Sequence, residues 1–166
     1  MAENENNYDL KTLSEKLQAV RFSMFATRQG DQLRARPMTV LEATEQGSLW
    51  FFGVRASELV EEAAGDPNVA LTFADNGNGT YAFVSGRAYL REDQAKVEEL
   101  WNPIHKAWYD GPDDPDLQLI EVQIESAEYW DSPDSGPLRF LGIIRAAVTG
   151  DEHEVGEHGQ VETSRT

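Results

Sequence analysis

Two arginines, an aromatic segment and a helix start follow one another between residues 33 and 65. Arg34 and Arg36 stand two places apart in the segment 33–41, so a strand would put both guanidinium groups on one face. The segment Leu49-Trp50-Phe51-Phe52-Gly53 could flank a flat ring. Ser57 stands where a helix N-cap is expected, before the unpaired N–H groups of a first turn. Because arginines and helix N-termini both bind phosphate, this stretch predicts a site for a phosphate attached to a flat ring.

Each part of this stretch also has a purely structural interpretation. Seven of the ten arginines lie between residues 21 and 91 of an acidic chain, and arginines on strand edges commonly form ion pairs. Ser57 could simply begin a helix, and Glu58 beside it would repel a phosphate. The residues alone leave both interpretations open.

The composition limits the class of protein. The chain has 166 residues, 40% of them hydrophobic and 10% aromatic, as expected for one folded domain. The formal net charge of -16 argues against a nucleic-acid partner. The absence of cysteine excludes thiolate chemistry and is compatible with a reducing compartment. No leader pattern is visible at the start and no window approaches the roughly 18 apolar residues of a membrane span, so we expect a cytoplasmic protein without a membrane association.

The hydrophobic pattern predicts mostly strands with flanking helices. Helices are expected over 8–20 and 57–64, and strands over 21–28, 33–41, 48–54, 68–74, 81–91 and 117–125, the last continuing to 131. A helical pattern over 92–109 contains Pro103, which should split it near Asn102. Short turns between strands predict an antiparallel barrel or sandwich. We expect a disordered segment 1–7, a folded domain 8–148 ending in an apolar segment 138–148, and an acidic mobile tail 149–166.

No catalytic residue can be assigned from the sequence. The tail contains His153, Glu154 and His158, but the second histidine comes one place too late for a zincin helix. The acidic loop 110–116 lacks the ligand spacing and the closing glutamate of a calcium loop. We therefore predict no metal site.

Seven short blocks, taken in order and spacing, resemble the general stress protein 26 branch of the pyridoxamine 5′-phosphate oxidase-like, FMN-binding split-barrel proteins. The resemblance covers roughly residues 10–148. The blocks are Arg36-Pro37-Met38, Leu49-Trp50-Phe51-Phe52 with Ser57, Val69-Ala70-Leu71-Thr72-Phe73, Val84-Ser85-Gly86-Arg87-Ala88, Leu100-Trp101-Asn102-Pro103 with Ala107-Trp108, Asp113-Asp114-Pro115-Asp116-Leu117, and Glu128-Tyr129-Trp130-Asp131.

The resemblance implies a mainly β fold with flanking helices (α+β): a six-stranded antiparallel split β-barrel that forms a homodimer with FMN, or alternatively FAD, between the subunits. In the family, the strand matching 34–39 lines the flavin and supplies an arginine for the phosphate. The segment matching 51–53 touches the ring and the ribityl chain, and the turn matching 55–59 binds the phosphate. The implied cofactor-binding residues are Arg34, Arg36, Pro37, Met38, Phe51, Phe52, Gly53, Arg55, Ser57, Leu59 and Trp108.

This sequence departs from the family pattern in two places. The phosphate-binding Ser-x-Lys pattern reads Ser57-Glu58-Leu59, without the lysine. The arginine and histidine that the true oxidases use on pyridoxal phosphate have no match in this tail, which argues against pyridoxamine phosphate oxidation.

The leading hypothesis is a flavin-binding general stress protein with weak oxidoreductase activity on an unidentified small molecule. The alternatives are a flavin-free dimeric binding protein on the same barrel, favoured by the missing lysine, and a deazaflavin-dependent reductase. Apolar strand faces and the aromatic residues Trp101 and Trp108 predict a homodimer, because large apolar patches usually mark interfaces.

Overall fold

The computed structural model describes residues 10–131 and 157–163. The predicted disordered segment 1–7 and the apolar segment 138–148 lie outside these residues. The described elements, in chain order, are α1 (Leu10–Val20), β1 (Phe22–Gln29), β2 (Gln32–Thr39), β3 (Glu42–Ala43), β4 (Ser48–Val54), α2 (Glu58–Gly65), β5 (Asn68–Asp75), β6 (Thr80–Arg91), α3 (Gln94–Leu100), a 3-10 helix (Pro103–Ala107), β7 (Leu117–Asp131) and β8 (Glu157–Glu162). The fold is therefore α+β and mainly antiparallel, as predicted.

The strands close into a barrel because β2 and β3 act as two halves of one bent strand. The sheet order is β2-β1-β5-β6-β7-β4-β3, with β8 added on β7. At the bend, the Val40 N–H donates to the Arg21 carbonyl at 2.7 Å, and the Leu41 N–H donates to the Trp50 carbonyl at 2.8 Å. The bent strand thus joins β1 to β4. Counted in this way, the barrel has the six strands that were predicted.

The barrel is open on one side of this bend. Beyond Leu41 and Trp50 the ladder stops, and within the described residues neither β2 nor the end of β4 pairs with a further strand there. We call this opening, bordered by residues 33–39 and 52–54, the split. Pro37 pairs with Met24 in an unbroken register, so its missing N–H marks a strand edge rather than a bulge.

The barrel interior holds the main core. Phe25 and Phe51 meet edge to face with ring centroids 5.3 Å apart. Leu13 and Leu17 of α1 are fully buried in the same cluster. A smaller core covers the outside of β4, where Phe52 packs under α3 and the 3-10 helix. Both faces of β4 are therefore covered, one by the barrel and one by helices.

The helical segment after β6 divides as the proline predicts. α3 ends at Leu100, and a separate 3-10 helix begins at Pro103. The Asn102 side chain caps it by accepting the Ile104 N–H at 3.1 Å. The prediction of a break near Asn102 is confirmed.

The predicted mobile tail is wrong for residues 157–162, which form β8. The strand pairs antiparallel with the last part of β7, from Ser126 opposite Glu162 to Asp131 opposite Glu157. Val161 is buried in the main core. The long β7 offers a free backbone edge, and a strand can form on it without an alternating hydrophobic pattern of its own. Residues 149–156 and 164–166 of the predicted tail lie outside the described part of the chain.

Candidate functional site

The two arginines of β2 lie on one face of the strand and turn toward α2. Arg34, Arg36 and Met38 are half-buried while their neighbours in the strand are exposed, which confirms the predicted common face. Arg34 Nη2 lies 2.7 Å from Glu58 Oε2. Arg36 Nη2 lies 2.7 Å from Glu62 Oε2. The fold thus brings together the arginine strand and the helix start that the sequence placed in one site.

Glu62 is the centre of this arrangement, with a side chain only 2% exposed. Its Oε2 accepts a hydrogen bond from the Thr27 hydroxyl, which in turn accepts one from Arg36 Nη1 at 2.5 Å. Arg34 Nη1 lies 3.3 Å from the other carboxylate oxygen. The Thr27 hydrogen bond, followed by the hydrogen bond from Arg36, holds the pKa of Glu62 below its ordinary value despite burial.

We call Arg34, Arg36, Glu58 and Glu62 the arginine–glutamate cluster. Its two positive and two negative charges cancel. Glu62 was not predicted as part of the site, although its position carries a signal. It belongs to the buried face of α2 together with Leu59, Val60 and Ala63, and a carboxylate on such a face needs a charged partner.

Arg55 has a structural role in the described chain. Its Nε donates to the Pro115 carbonyl at 3.0 Å, and its two terminal nitrogens donate to Glu92, Gln118 and the Leu117 carbonyl. These contacts use all five N–H donors of the guanidinium. The hydrogen bond to Glu92 is the main cause that raises the pKa of Arg55. The predicted phosphate contact from this side chain would require breaking these bonds.

Three of the predicted cofactor residues, Phe51, Gly53 and Leu59, face the barrel interior. Phe51 and Leu59 are buried in the main core. A Cβ added to Gly53 would lie 2.9 Å from Ile120 Cδ1. Phe51 therefore cannot flank a ring outside the barrel with its side chain, and Leu59 occupies the place of the family lysine with an inward side chain. These residues could meet a ligand only through their backbone.

The first turn of α2 keeps unpaired backbone donors. Ser57 is the N-cap, and its hydroxyl accepts the Val60 N–H at 3.4 Å. No described residue accepts a hydrogen bond from the N–H groups of Glu58 and Leu59. The predicted helix N-cap is confirmed, and the first turn lies directly beside Arg34 because Glu58 contacts that arginine.

The aromatic residues outside the barrel form a packed group and one exposed ring. The Phe52 ring lies 6.3 Å from Trp101 and 5.1 Å from His105 between ring centroids. Burial lowers the pKa of His105, so its ring favours the neutral form. Burial also raises the pKa of Tyr109 to about 12. Trp108, by contrast, is 69% exposed on the described chain.

The family model described as pyridoxamine 5′-phosphate oxidase-like matches residues 8–154, most of the chain. The protein belongs to the pyridoxamine 5′-phosphate oxidase-like family. The split barrel is therefore the fold of this family, as the sequence blocks indicated.

Relatives of this family member include stress proteins. The chain is 29% identical to the protein bli-3 of Neurospora crassa over 154 residues, which cover 85% of this chain and 73% of that protein. The solved structure of the general stress FMN/FAD binding protein of Xanthomonas citri matches with a TM-score of 0.67 and 29% identity, covering 76% of this chain and 91% of the other. The general stress protein 26 of Bacillus anthracis matches with a TM-score of 0.62 and 25% identity, covering 70% and 92%.

Two further features of this pyridoxamine 5′-phosphate oxidase-like chain bear on its chemistry. Within residues 10–131 and 157–163, no group of three or more histidine, aspartate and glutamate side chains is placed to hold a metal ion. In the same residues, no helix has the length and apolar character needed to cross a membrane. His153 and Glu154 lie outside the described part of the chain.

Proposed function

We propose that this chain is a flavin-binding stress-response protein that holds FMN, or alternatively FAD, along the split. The similarity to the FMN/FAD binding protein of Xanthomonas citri, over most of both chains, carries the proposal. Membership of the pyridoxamine 5′-phosphate oxidase-like family supports it. We further propose that the protein has a weak oxidoreductase activity on a small molecule.

The donors around the split fit a phosphate. Arg34 stands at the rim with 40% of its side chain exposed, and its Nη2 could meet a ligand by exchanging the exposed Glu58 carboxylate for it. The N–H groups of the first turn of α2 lie beside it and favour an anion. These groups would neutralise the phosphate, whereas Arg36 is held by Glu62 and Thr27.

The backbone edges of the split fit a flat ring with polar edges. The Trp50 carbonyl points toward the β3 side of β4, where it accepts the Leu41 N–H. Because backbone groups of alternate residues in a strand point the same way, the N–H and C=O of Phe52 also point to this side. No residue of β3 lies opposite Phe52. On the β2 side, the Val40 N–H points toward β1, where it donates to the Arg21 carbonyl. The backbone N–H groups of the odd-numbered residues Ala35 and Thr39 therefore point to the opposite edge, away from β1. A bound flavin would supply a ring that takes up and releases electrons, and this chain would bind and orient it.

Titration with flavins tests this function. We expect the purified protein to quench FMN fluorescence with a micromolar dissociation constant. Arg34→Gln should weaken FMN binding about tenfold, because a charge-assisted phosphate contact is lost, and should leave riboflavin binding unchanged. Arg28→Gln is the matched control, since Arg28 lies on the neighbouring strand in an exposed ion pair with Asp66. An absence of quenching by the wild-type protein would overturn the proposal.

We also propose that a second copy of the chain closes the split. The outer face of the sheet carries a row of exposed or half-exposed residues across four strands. In this row Pro37 stands opposite Met24, Met24 opposite Thr72, and Thr72 opposite Phe83. Phe22 extends the row on β1 and is also exposed. An exposed, mostly apolar face of this kind favours self-association. In such a dimer the exposed Trp108 is available to cover the flavin of the partner.

Light scattering tests the dimer. We expect twice the chain mass of 18.6 kDa at micromolar concentration. Met24→Glu should give a monomer, because it places a charge in the centre of the apolar row. Ala64→Glu introduces the same charge at an exposed position of α2 outside the row and should leave the dimer intact. A wild-type monomer would contradict the proposal.

A flavin-free binding protein on the same barrel is the second candidate. The neutral charge of the arginine–glutamate cluster and the inward Leu59 favour it, because both weaken the attraction for a phosphate. The visible spectrum of the freshly purified protein separates the two candidates. An oxidised-flavin absorption band supports the first and excludes the second.

A further inference from the structure

The two carboxylates of the arginine–glutamate cluster differ in how firmly they are held. Glu62 is buried, with hydrogen bonds from Thr27 and Arg36. Glu58 is 68% exposed, and its one ion pair within residues 10–131 and 157–163 is the 2.7 Å contact with Arg34 Nη2. An exposed ion pair of this kind is weak and exchanges readily with solvent. Glu62 is therefore a fixed part of the fold, whereas the Glu58 carboxylate can dissociate from Arg34.

The two arginines differ in the same way. Arg36 donates to Glu62 at 2.7 Å and to Thr27 at 2.5 Å, and it is the more buried of the pair. Arg34 Nη1 lies 3.3 Å from Glu62 Oε1 and 3.5 Å from Gln29 Oε1, whereas Arg34 Nη2 lies 2.7 Å from Glu58 Oε2. If the Glu58 carboxylate dissociates from Arg34, Nη2 becomes free for another anion. Nη1 keeps its 3.3 Å ion pair with Glu62.

We infer that Glu58 occupies the anion position on Arg34 and acts as a built-in competitor of the ligand phosphate. The inference rests on the proposed function and deepens it, because it assigns a residue that sets affinity for phosphorylated flavins. The glutamate stands directly after Ser57, beside the N–H groups that would also receive the phosphate. Phosphate binding then exchanges one anion for another on the same guanidinium.

The charges favour such an exchange only in part. A phosphate monoester carries a charge of about −1.5 to −2 near neutral pH and more acceptor oxygens than a carboxylate. Once Glu58 has moved away, Arg34, Arg36 and Glu62 leave one net positive charge at the rim. The displaced carboxylate stays nearby on the first turn of α2 and still repels the phosphate. The chain should therefore bind phosphorylated flavins more weakly than its arginines alone would allow.

The test compares Glu58→Gln with a matched control. We expect Glu58→Gln to tighten FMN binding about tenfold in fluorescence titration, since it removes both the competing and the repelling charge. Glu61→Gln removes the same charge from the same turn, but Glu61 forms no ion pair with an arginine of the described residues, so this substitution should change FMN affinity little. Neither substitution should alter the affinity for riboflavin, which lacks the phosphate.

A double variant shows whether the effect passes through Arg34. In an Arg34→Gln background, the gain from Glu58→Gln should disappear apart from a small general charge effect. A gain that persists in full would mean that Glu58 acts only through long-range repulsion, and it would overturn the assignment of Glu58 to the anion position on Arg34.

The outcomes separate this inference from the proposed function. If the wild-type protein binds FMN and Glu58→Gln does not tighten it, the inference fails and the proposed function stands. If only the Glu58→Gln variant binds FMN, the inference is supported and flavin binding by the natural chain is refuted. If neither binds, both fall.

Discussion

Replacing Gly86 with alanine is expected to lower the free energy of unfolding by about 3 kcal/mol. A Cβ at this position would lie 2.4 Å from the carbonyl oxygen of Gln123 and 3.0 Å from Val122 Cγ1. The closest neighbour is backbone in the central β6–β7 pair, so it cannot move aside as a flexible side chain can. The register also shifts here, with Ser85 opposite Ser126 but Gly86 opposite Ile124. The two strands would therefore have to separate at this register shift.

Two other glycines make this prediction specific. Among the described residues no atom lies within 4 Å of a Cβ added to Gly65, so Gly65→Ala should be neutral or slightly stabilising. At Gly53 the close contact of the added Cβ would be with the end of the Ile120 side chain rather than with backbone, and the expected cost is about 1 kcal/mol. Urea unfolding of the three variants gives the order directly. A Gly86→Ala variant as stable as Gly65→Ala would refute the backbone clash.

The same glycine shows what a sequence block can and cannot tell. Val84-Ser85-Gly86-Arg87-Ala88 contributed to the family resemblance, but the pattern gives no physical reason for a glycine. The reason lies in the close approach of the Gln123 carbonyl across the strand pair. That contact depends on the register of β6 against β7, which is set by residues far away in the chain.

Local signals predicted the elements well. β4 runs from Ser48 to Val54 as predicted, because a turn and a helix cap bound it closely. Ser57 caps α2, and the 3-10 helix begins at Pro103, separate from α3. In each case a few adjacent residues determine the backbone, so no distant contact is needed to predict it.

Faces and partners were harder to predict. On β1 the sequence alternates Phe22, Met24 and Ala26 against Ser23, Phe25 and Thr27, without showing which set is inside. The structure buries Ser23, Phe25 and Thr27. The two hydroxyl groups are satisfied there, because Ser23 donates to the Met38 carbonyl and Thr27 donates to Glu62. Phe22 and Met24 of the apolar set remain exposed, and Ala26 is half-buried. Hydrophobicity alone would favour the opposite choice, and only the distant hydrogen-bond partners resolve it.

The candidate site was predicted in outline rather than in detail. The prediction that Arg34, Arg36 and the start of α2 belong together is supported by their ion pairs. The role of Glu62 and the structural use of Arg55 depend on contacts with other elements, at Thr27 and at Glu92, which no local pattern contains. What the sequence did not predict is therefore which charged side chains of different elements pair with one another.

Glu62→Gln is expected to lower the free energy of unfolding by about 2 kcal/mol at neutral pH. The substitution keeps the size of the side chain but removes the charge that Arg34 and Arg36 share. A glutamine cannot neutralise these arginines, and its NH₂ group would oppose the donors that now point at the carboxylate. Arg36 is partly open to water, which moderates the loss relative to a fully buried pair. Urea unfolding measures the difference, and Glu61→Gln on the exposed side of the same turn should be nearly neutral.

The pH dependence of this difference identifies its cause. The pKa of Glu62 is lowered in the folded state, mainly by the Thr27 hydroxyl and then by Arg36, so the ionised carboxylate stabilises the fold. That contribution is complete above the unfolded pKa of about 4.3 and is lost as the pH falls through that value toward the lower folded pKa. Protonated Glu62 then resembles glutamine, so the gap between wild type and Glu62→Gln should close in acid. A gap of constant size from neutral to acidic pH would show that packing, not charge, holds Glu62 in place.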